Sequence, residues 1–228
     1  MNELLWFIML VVNFGSVLLL YRYLGKQGIY VWVPIATILA NIQVIKIVEL
    51  FGVTATLGNI AYGSVFLATD ILSENHSREE AKLAVWIGFF SLVIMLLIMS
   101  LAVAFVPAED DFAQASLKQI FSYMPRVVLG SLVAFLVSQM HDIASYHFWK
   151  RLRPETKWLW LRNNASTLAS QMLDTLIFTT IAFVGVFPWS VFWSIAWTTY
   201  AIKALTALLD TPCLYWAKKM HTKNLIKL

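Results

Sequence analysis

The chain has 228 residues, 60% of them hydrophobic and only 13% charged, with a formal net charge of +4. Its mean hydropathy is +0.71. Soluble globular domains are about half apolar and about a quarter charged, so a soluble domain is excluded and an integral membrane protein is indicated. The single cysteine, Cys213, excludes an intrachain disulfide and a Cys-based zinc cluster, and is expected to be a small buried packing residue.

A spanning helix needs roughly 20 mostly apolar residues. Seven segments qualify in chain order: 4–21, 29–51, 57–72, 83–106, 127–149, 165–187 and 191–216. They are too long and too weakly alternating for barrel strands, so the expected fold is all-α, with seven transmembrane helices. The first lacks the basic start and small-residue cleavage site of a secretory signal. Between Pro107 and Pro125 an amphipathic stretch with Phe112, Leu117, Ile120, Phe121 and Met124 on one face predicts a short interfacial helix. Trp158 and Trp160, near Arg162, are expected to anchor at the opposite interface.

The basic residues sort by loop. Arg22 and Lys26, Arg78 and Lys82, the five between Lys150 and Arg162, and Lys218, Lys219, Lys223 and Lys227 make thirteen on one side. The other side has Lys118 and Arg126 beside Glu109, Asp110 and Asp111. The positive-inside rule then places the N-terminus outside and the C-terminus in the cytoplasm. The basic loops are topology signals, so no nucleic-acid partner is expected.

Polar residues inside the spans carry the functional information. An Asp or Lys at a helix centre costs roughly 2.5–3.5 kcal/mol on insertion, and one Leu returns only about 0.3–0.6 kcal/mol. Gln43, Lys46 and Glu49 recur at steps of three on the second segment. Asn59, Tyr62, Gly63, Phe66, Thr69 and Asp70 share one helical face of the third. Ser138, Gln139, Asp142, Ser145 and Tyr146 do so on the fifth, Thr167, Ser170, Gln171, Asp174 and Phe178 on the sixth, and Thr199, Lys203, Thr206 and Asp210 on the seventh. Five polar stripes turned from lipid predict a polar cavity inside a bundle. Serine and threonine stripes also arise from hydroxyls that merely bond the preceding turn. Glu49, Asp142 and Asp174 are harder to explain by packing. His141 and His147 are six residues apart, whereas a metal-binding pair on one helical face wants four. No metal, cofactor or catalytic constellation is expected.

Three phrases, GSVFLATDILSE (63–74), SQMHDIASYHFWKRLR (138–153) and ASTLASQMLDTLIF (165–178), resemble the queuosine precursor transporter family of small bacterial inner-membrane proteins. The resemblance covers roughly 29–216. It implies a six-helix core (29–217) preceded by an extra helix and loop (1–28) and followed by a basic cytoplasmic tail (218–228). It also implies uptake of 7-deazaguanine bases (7-cyano-7-deazaguanine, its 7-aminomethyl relative, or queuine) for tRNA modification. The partners are then a small base and the bilayer, with a homo-oligomer left open. The inventory suits such a ligand. A carboxylate accepts two adjacent donors of a guanine-type edge, amides serve its carbonyl, and aromatic faces stack on the ring. The expected substrate residues are Asp142, Asp174, Gln139, Gln171, Asn59, Asp70, Tyr62, Phe66 and Asn164, with Lys203, Glu49 and Lys46 neutralising the carboxylates or taking part in proton coupling. A further carboxylate is expected to pair with the aminomethyl cation. Two rivals are a substrate-binding subunit of an ATPase-driven vitamin transporter and, more distantly, an intramembrane enzyme.

Overall fold

The computed structural model describes residues 1–121, 125–186 and 188–227. Met124 and Phe187, and the side chain of Arg126, lie outside the described residues. The elements run α1 (Asn2–Gln43), β1 (Ile47–Leu50), β2 (Val53–Thr56), α2 (Gly58–Asn75), α3 (Arg78–Ala104), α4 (Gln114–Phe121), α5 (Pro125–Leu152), a 3-10 turn (Thr156–Trp158), α6 (Leu159–Phe183) and α7 (Trp189–Thr222).

A straight helix of 42 residues would be about 63 Å long. Yet Asn2 donates from Nδ2 to the Glu49 carbonyl (3.0 Å), and Trp6 packs edge-on against Phe51. The helix must therefore fold back on itself. It does so at Gly25, whose φ of 56° and ψ of −140° leave the helical region; glycine alone takes that conformation without steric cost. A Cβ on Gly28 would stand 2.3 Å from the Leu20 carbonyl oxygen, so the turn is closed by backbone contact. The break also frees the Arg22 carbonyl, which accepts from the Lys227 amide of the C-terminal tail (2.9 Å). The limbs 2–24 and 26–43 thus take the places of the first two expected segments, and residues of both limbs join one hydrophobic cluster with α2, α3, α5 and α7.

The second segment was expected to stay helical to residue 51, with Gln43, Lys46 and Glu49 at steps of three along it. That expectation fails. The helix ends at Gln43, and an antiparallel hairpin follows with Glu49 opposite Thr54. Ile45, Ile47, Val48 and Val53 are β-branched, which favours strand. Phe51 and Gly52 both have positive φ (53° and 77°), as a two-residue hairpin turn requires.

The other elements follow their local signals. Ser77 caps α3, accepting the Glu80 amide at 3.2 Å. Gly185, at φ 77°, follows the end of α6. The short α4 occupies the expected interfacial stretch, with Leu117, Ile120 and Phe121 half-buried, but Phe112 precedes it and is 96% exposed. Cys213 is half-buried rather than buried.

The bundle is apolar outside and polar inside. Leu4, Val11, Leu97, Leu101, Trp193 and Trp197 are exposed, while Asp70, Asp142, Gln139, Gln171 and Arg162 are buried. In water this arrangement would leave a large apolar surface uncovered; in a bilayer it is the stable one. Among the described residues only α1 and α3 are both long and apolar enough to cross a membrane on hydropathy, at 2.2 and 2.7. The remaining long helices fall short because their buried polar stripes dilute the apolar count. Every residue of α2 is buried, so that helix runs through the centre.

The Gly28 contact makes a direct prediction. Gly28→Ala should lower the yield of folded protein in the membrane severalfold, measured by fluorescence-detected size exclusion. Gly15→Ala, where an added Cβ meets open space in the same limb, should match or exceed the parent, since Ala is the better helix former by about 1 kcal/mol.

Candidate functional site

A cavity of about 1050 Å³ lies at the end of the bundle that carries the hairpin. Its walls come from the end of α1, the hairpin, α2, α4, α5, α6 and α7. Of the expected site residues, Asn59, Tyr62, Asp174, Lys203 and Lys46 line it, Lys46 from the exposed start of the hairpin.

Asp174 and Lys203 form a buried ion pair on α6 and α7. Tyr62 of α2 donates its hydroxyl to Asp174 Oδ1 (2.6 Å), and Ser138 of α5 donates to the same oxygen (3.2 Å). The Lys203 ammonium also sits over the Tyr62 ring, 4.9 Å from its centre. Four helices therefore meet on one carboxylate. Gly63 makes the approach possible, because a Cβ there would lie 2.6 Å from the Thr206 methyl.

Below this group is a polar layer outside the cavity lining. Gln139 accepts from Thr69 Oγ1 (3.2 Å), but its Nε2 has no partner, nor do Gln171 Oε1 and Nε2. Asp142 is surrounded by Asp70 and the hydroxyls of Ser170, Ser166 and Thr167. Asp70 accepts from Thr167 on one oxygen (3.2 Å) and faces Asp142. Asp210 accepts from Asn163 (2.7 Å). Thr206, in contrast, bonds the Ile202 carbonyl of its own helix (2.9 Å).

Three expected residues fall elsewhere. Phe66 is buried against Tyr62 outside the lining. Asn164 donates to the Trp160 carbonyl (2.7 Å) and to Thr211 (3.0 Å) towards the basic end. Glu49 is exposed on the hairpin, so it neutralises no buried acid.

The basic end is sealed by a cluster that the sequence reading passed over. Glu74 receives Arg162 on both oxygens (2.7 and 3.1 Å), Lys218 (2.9 Å) and the Tyr146 hydroxyl (3.0 Å). Lys150 caps the end of α2 through the Ser73 and Glu74 carbonyls (2.6 and 2.8 Å). Arg162 also donates to the carbonyls of Arg153 and Glu155, both at 3.0 Å. The signal was present: Glu74 lies one turn beyond Asp70 on the same α2 stripe. Beside this cluster Tyr21 bridges His76 and His221 (3.2 and 3.3 Å). Burial, with His221 and Lys26 nearby, lowers the pKa of His76, which is therefore mainly neutral at pH 7.

An apolar-surfaced bundle with a largely apolar cavity over an Asp174–Lys203 floor at one end and an ionic cluster at the other fits a membrane transporter of small solutes. Comparison with known proteins agrees: residues 56–217 match the family described as "Putative vitamin uptake transporter", and the chain belongs to that family. A relative from Bacillus subtilis, named "Probable queuosine precursor transporter", is 46% identical over 96% of both chains. Two others are each 28% identical. One, from Haemophilus influenzae, has the same name and aligns over 58% of this chain and 54% of its own; the other, from Escherichia coli, is named "Queuosine precursor transporter" and aligns over 60% and 58%. No solved structure matches. The protein is a transporter and not an enzyme, and the relatives do not favour the reading as an ATPase-driven binding subunit.

Glu74→Gln removes the charge that holds Arg162 while keeping its shape. Breaking a buried ion pair from one side costs about 3–5 kcal/mol, and each kcal/mol lowers Tm by about 2–4 °C at this size. The melting temperature of the purified variant in detergent should fall by roughly 10 °C.

Proposed function

We propose that this protein imports queuosine precursors, 7-deazaguanine bases, across the bacterial cell membrane (the inner membrane where there are two). The observation that carries this reading is the 46% identity, over 96% of both chains, to the relative named for that role. The three phrases at 63–74, 138–153 and 165–178 carry the same resemblance.

The chain spans the membrane seven times, counting both limbs of α1, with 29–217 as the six-helix core and the 1–28 helix as an addition. Positive-inside asymmetry puts the hairpin end outside and the Glu74 seal in the cytoplasm. The cavity then opens outward, as uptake requires. A base enters it and is met by Asp174, Lys203, Tyr62 and Asn59 at the floor. Asp174 already has three partners, so a base that bonds it must displace the Tyr62 or Ser138 hydroxyl. Below, Gln139 and Gln171 offer amide groups, and Asp142 and Asp70 offer buried carboxyl groups. Those atoms suit the carbonyl and the paired N–H donors of a guanine-type edge, and we assign them to the occluded stage of alternating access. Release into the cytoplasm needs the Glu74 and Arg162 seal to part.

The test is rescue of queuosine in tRNA. Bacteria that cannot make 7-deazaguanines and lack their own transporter should recover the nucleoside when given a base and this chain. Asp174→Asn should reduce uptake at least tenfold while inserting normally. Absence of rescue by membrane-inserted protein would overturn the import reading, and full uptake by Asp174→Asn would overturn the role given to Asp174.

A further inference from the structure

One wall of the cavity is the hairpin, through Ile47, Val53, Ala55 and Thr56. A hairpin of four residues per strand is marginally stable alone, so its neighbours decide where it stands. Its base is fixed, since the Leu57 amide donates to the Lys46 carbonyl (3.2 Å). Its tip is held by the start of α1. Asn2 donates to the Glu49 carbonyl (3.0 Å), and the Phe51 amide donates to Glu3 Oε1 (3.4 Å). The Phe51 ring lies edge-on to Trp6 and Phe7, with centroids 5.7 and 6.4 Å away. Phe51 is an unusual occupant of the turn. The two turn positions favour Asn, Asp or Gly, and a bulky residue at φ 53° is strained. The contacts of its ring with Trp6 and Phe7 offset that strain. Both hydrogen bonds at the tip are exposed, so water can replace either partner.

Import by alternating access needs an outer gate that closes behind the solute. The helices at the cavity floor are tied by the Asp174–Lys203 pair and its partners, whereas the tip of the hairpin rests on exposed bonds and ring contacts. We propose that the hairpin is the outer gate and that Asn2, Glu3, Trp6 and Phe7 latch it open through Phe51. The proposal rests on the import reading and the orientation given above, and it assigns a task to the 1–28 helix. Closure lifts Phe51 off Trp6 and Phe7 and swings Ile47 and Val53 across the mouth, with the Lys46 and Leu57 base as the hinge. Water then takes the bonds of Asn2 and Glu3. A weaker latch lowers the fraction of time for which the cavity stands open, and accessibility from outside falls by the same factor.

The first test needs no substrate. In a Cys213→Ser background, Thr199→Cys places a thiol on the cavity wall, and its labelling by a membrane-impermeant thiol reagent is timed in right-side-out vesicles. Phe51→Asn suits the turn better and removes the ring. It should slow labelling about fivefold while the amount of folded protein stays the same. In the second test Asn2→Cys and Glu49→Cys, made in the Cys213→Ser background alone, are bridged by a short reducible thiol cross-linker. Uptake of a 7-deazaguanine base should fall roughly tenfold or more and return on reduction. Labelling that Phe51→Asn does not slow, or full uptake by the bridged protein, would overturn the gate and leave the import reading standing. Absence of labelling from outside before the Phe51 change would overturn the outward opening and the gate with it. Absence of uptake before any bridging, with labelling slowed as expected, would overturn the import reading while the gate stands.

Discussion

A carboxylate inside an apolar bundle must find a counter-charge, and Lys203 provides it for Asp174. The surrounding structure is organised by that requirement. Desolvating two ions costs several kcal/mol each, and their attraction offsets this only when further hydrogen bonds complete the geometry. Tyr62 and Ser138 supply those bonds. Since the four groups come from four helices, meeting the need of one side chain also fixes how α2, α5, α6 and α7 approach. Gly63 allows the closest of these contacts, by giving Thr206 the space that a Cβ would fill.

The two ends of the bundle handle charge differently. At the basic end Glu74 is saturated by Arg162, Lys218 and Tyr146, with Lys150 beside it, and the cluster also bonds the loop carbonyls after α5. Such a network holds the helices shut without the need of a ligand. At the hairpin end one pair stands at the floor of an open cavity. Between them lie the buried side chains of Asp70, Gln139, Asp142 and Gln171.

Much of this was legible in the sequence. The polar stripes on α2, α5, α6 and α7 were visible as residues three and four apart, and the structure buries nearly all of them. The limits of legibility have physical causes. Gln43, Lys46 and Glu49 recur at a helical interval, yet the β-branched residues around them and the Phe51-Gly52 pair specify a hairpin, and local chemistry overrode the spacing. Glu74 was passed over because it stands where a helix end meets basic loops, and an acid there reads as interfacial. Its partner Arg162 precedes the apolar run of α6 and reads as a topology signal. Tertiary closure brings them together, and no interval along the chain encodes an ion pair between residues 74 and 162.

The position of α2 joins these observations. All its residues are buried, so it is held by neighbours on every side instead of by lipid on one. It carries Tyr62, which completes the cavity floor, and Glu74, which holds the seal. Twelve residues at 1.5 Å each put them about 18 Å apart on one rigid rod. A helix transmits a tilt along its length without bending, so a movement that withdraws Tyr62 from Asp174 also shifts Glu74 against Arg162. The floor and the seal are therefore not independent structures. The hydrogen bond from Tyr62 to Asp174 at one end and the ion pair of Glu74 with Arg162 at the other are made by the same helix.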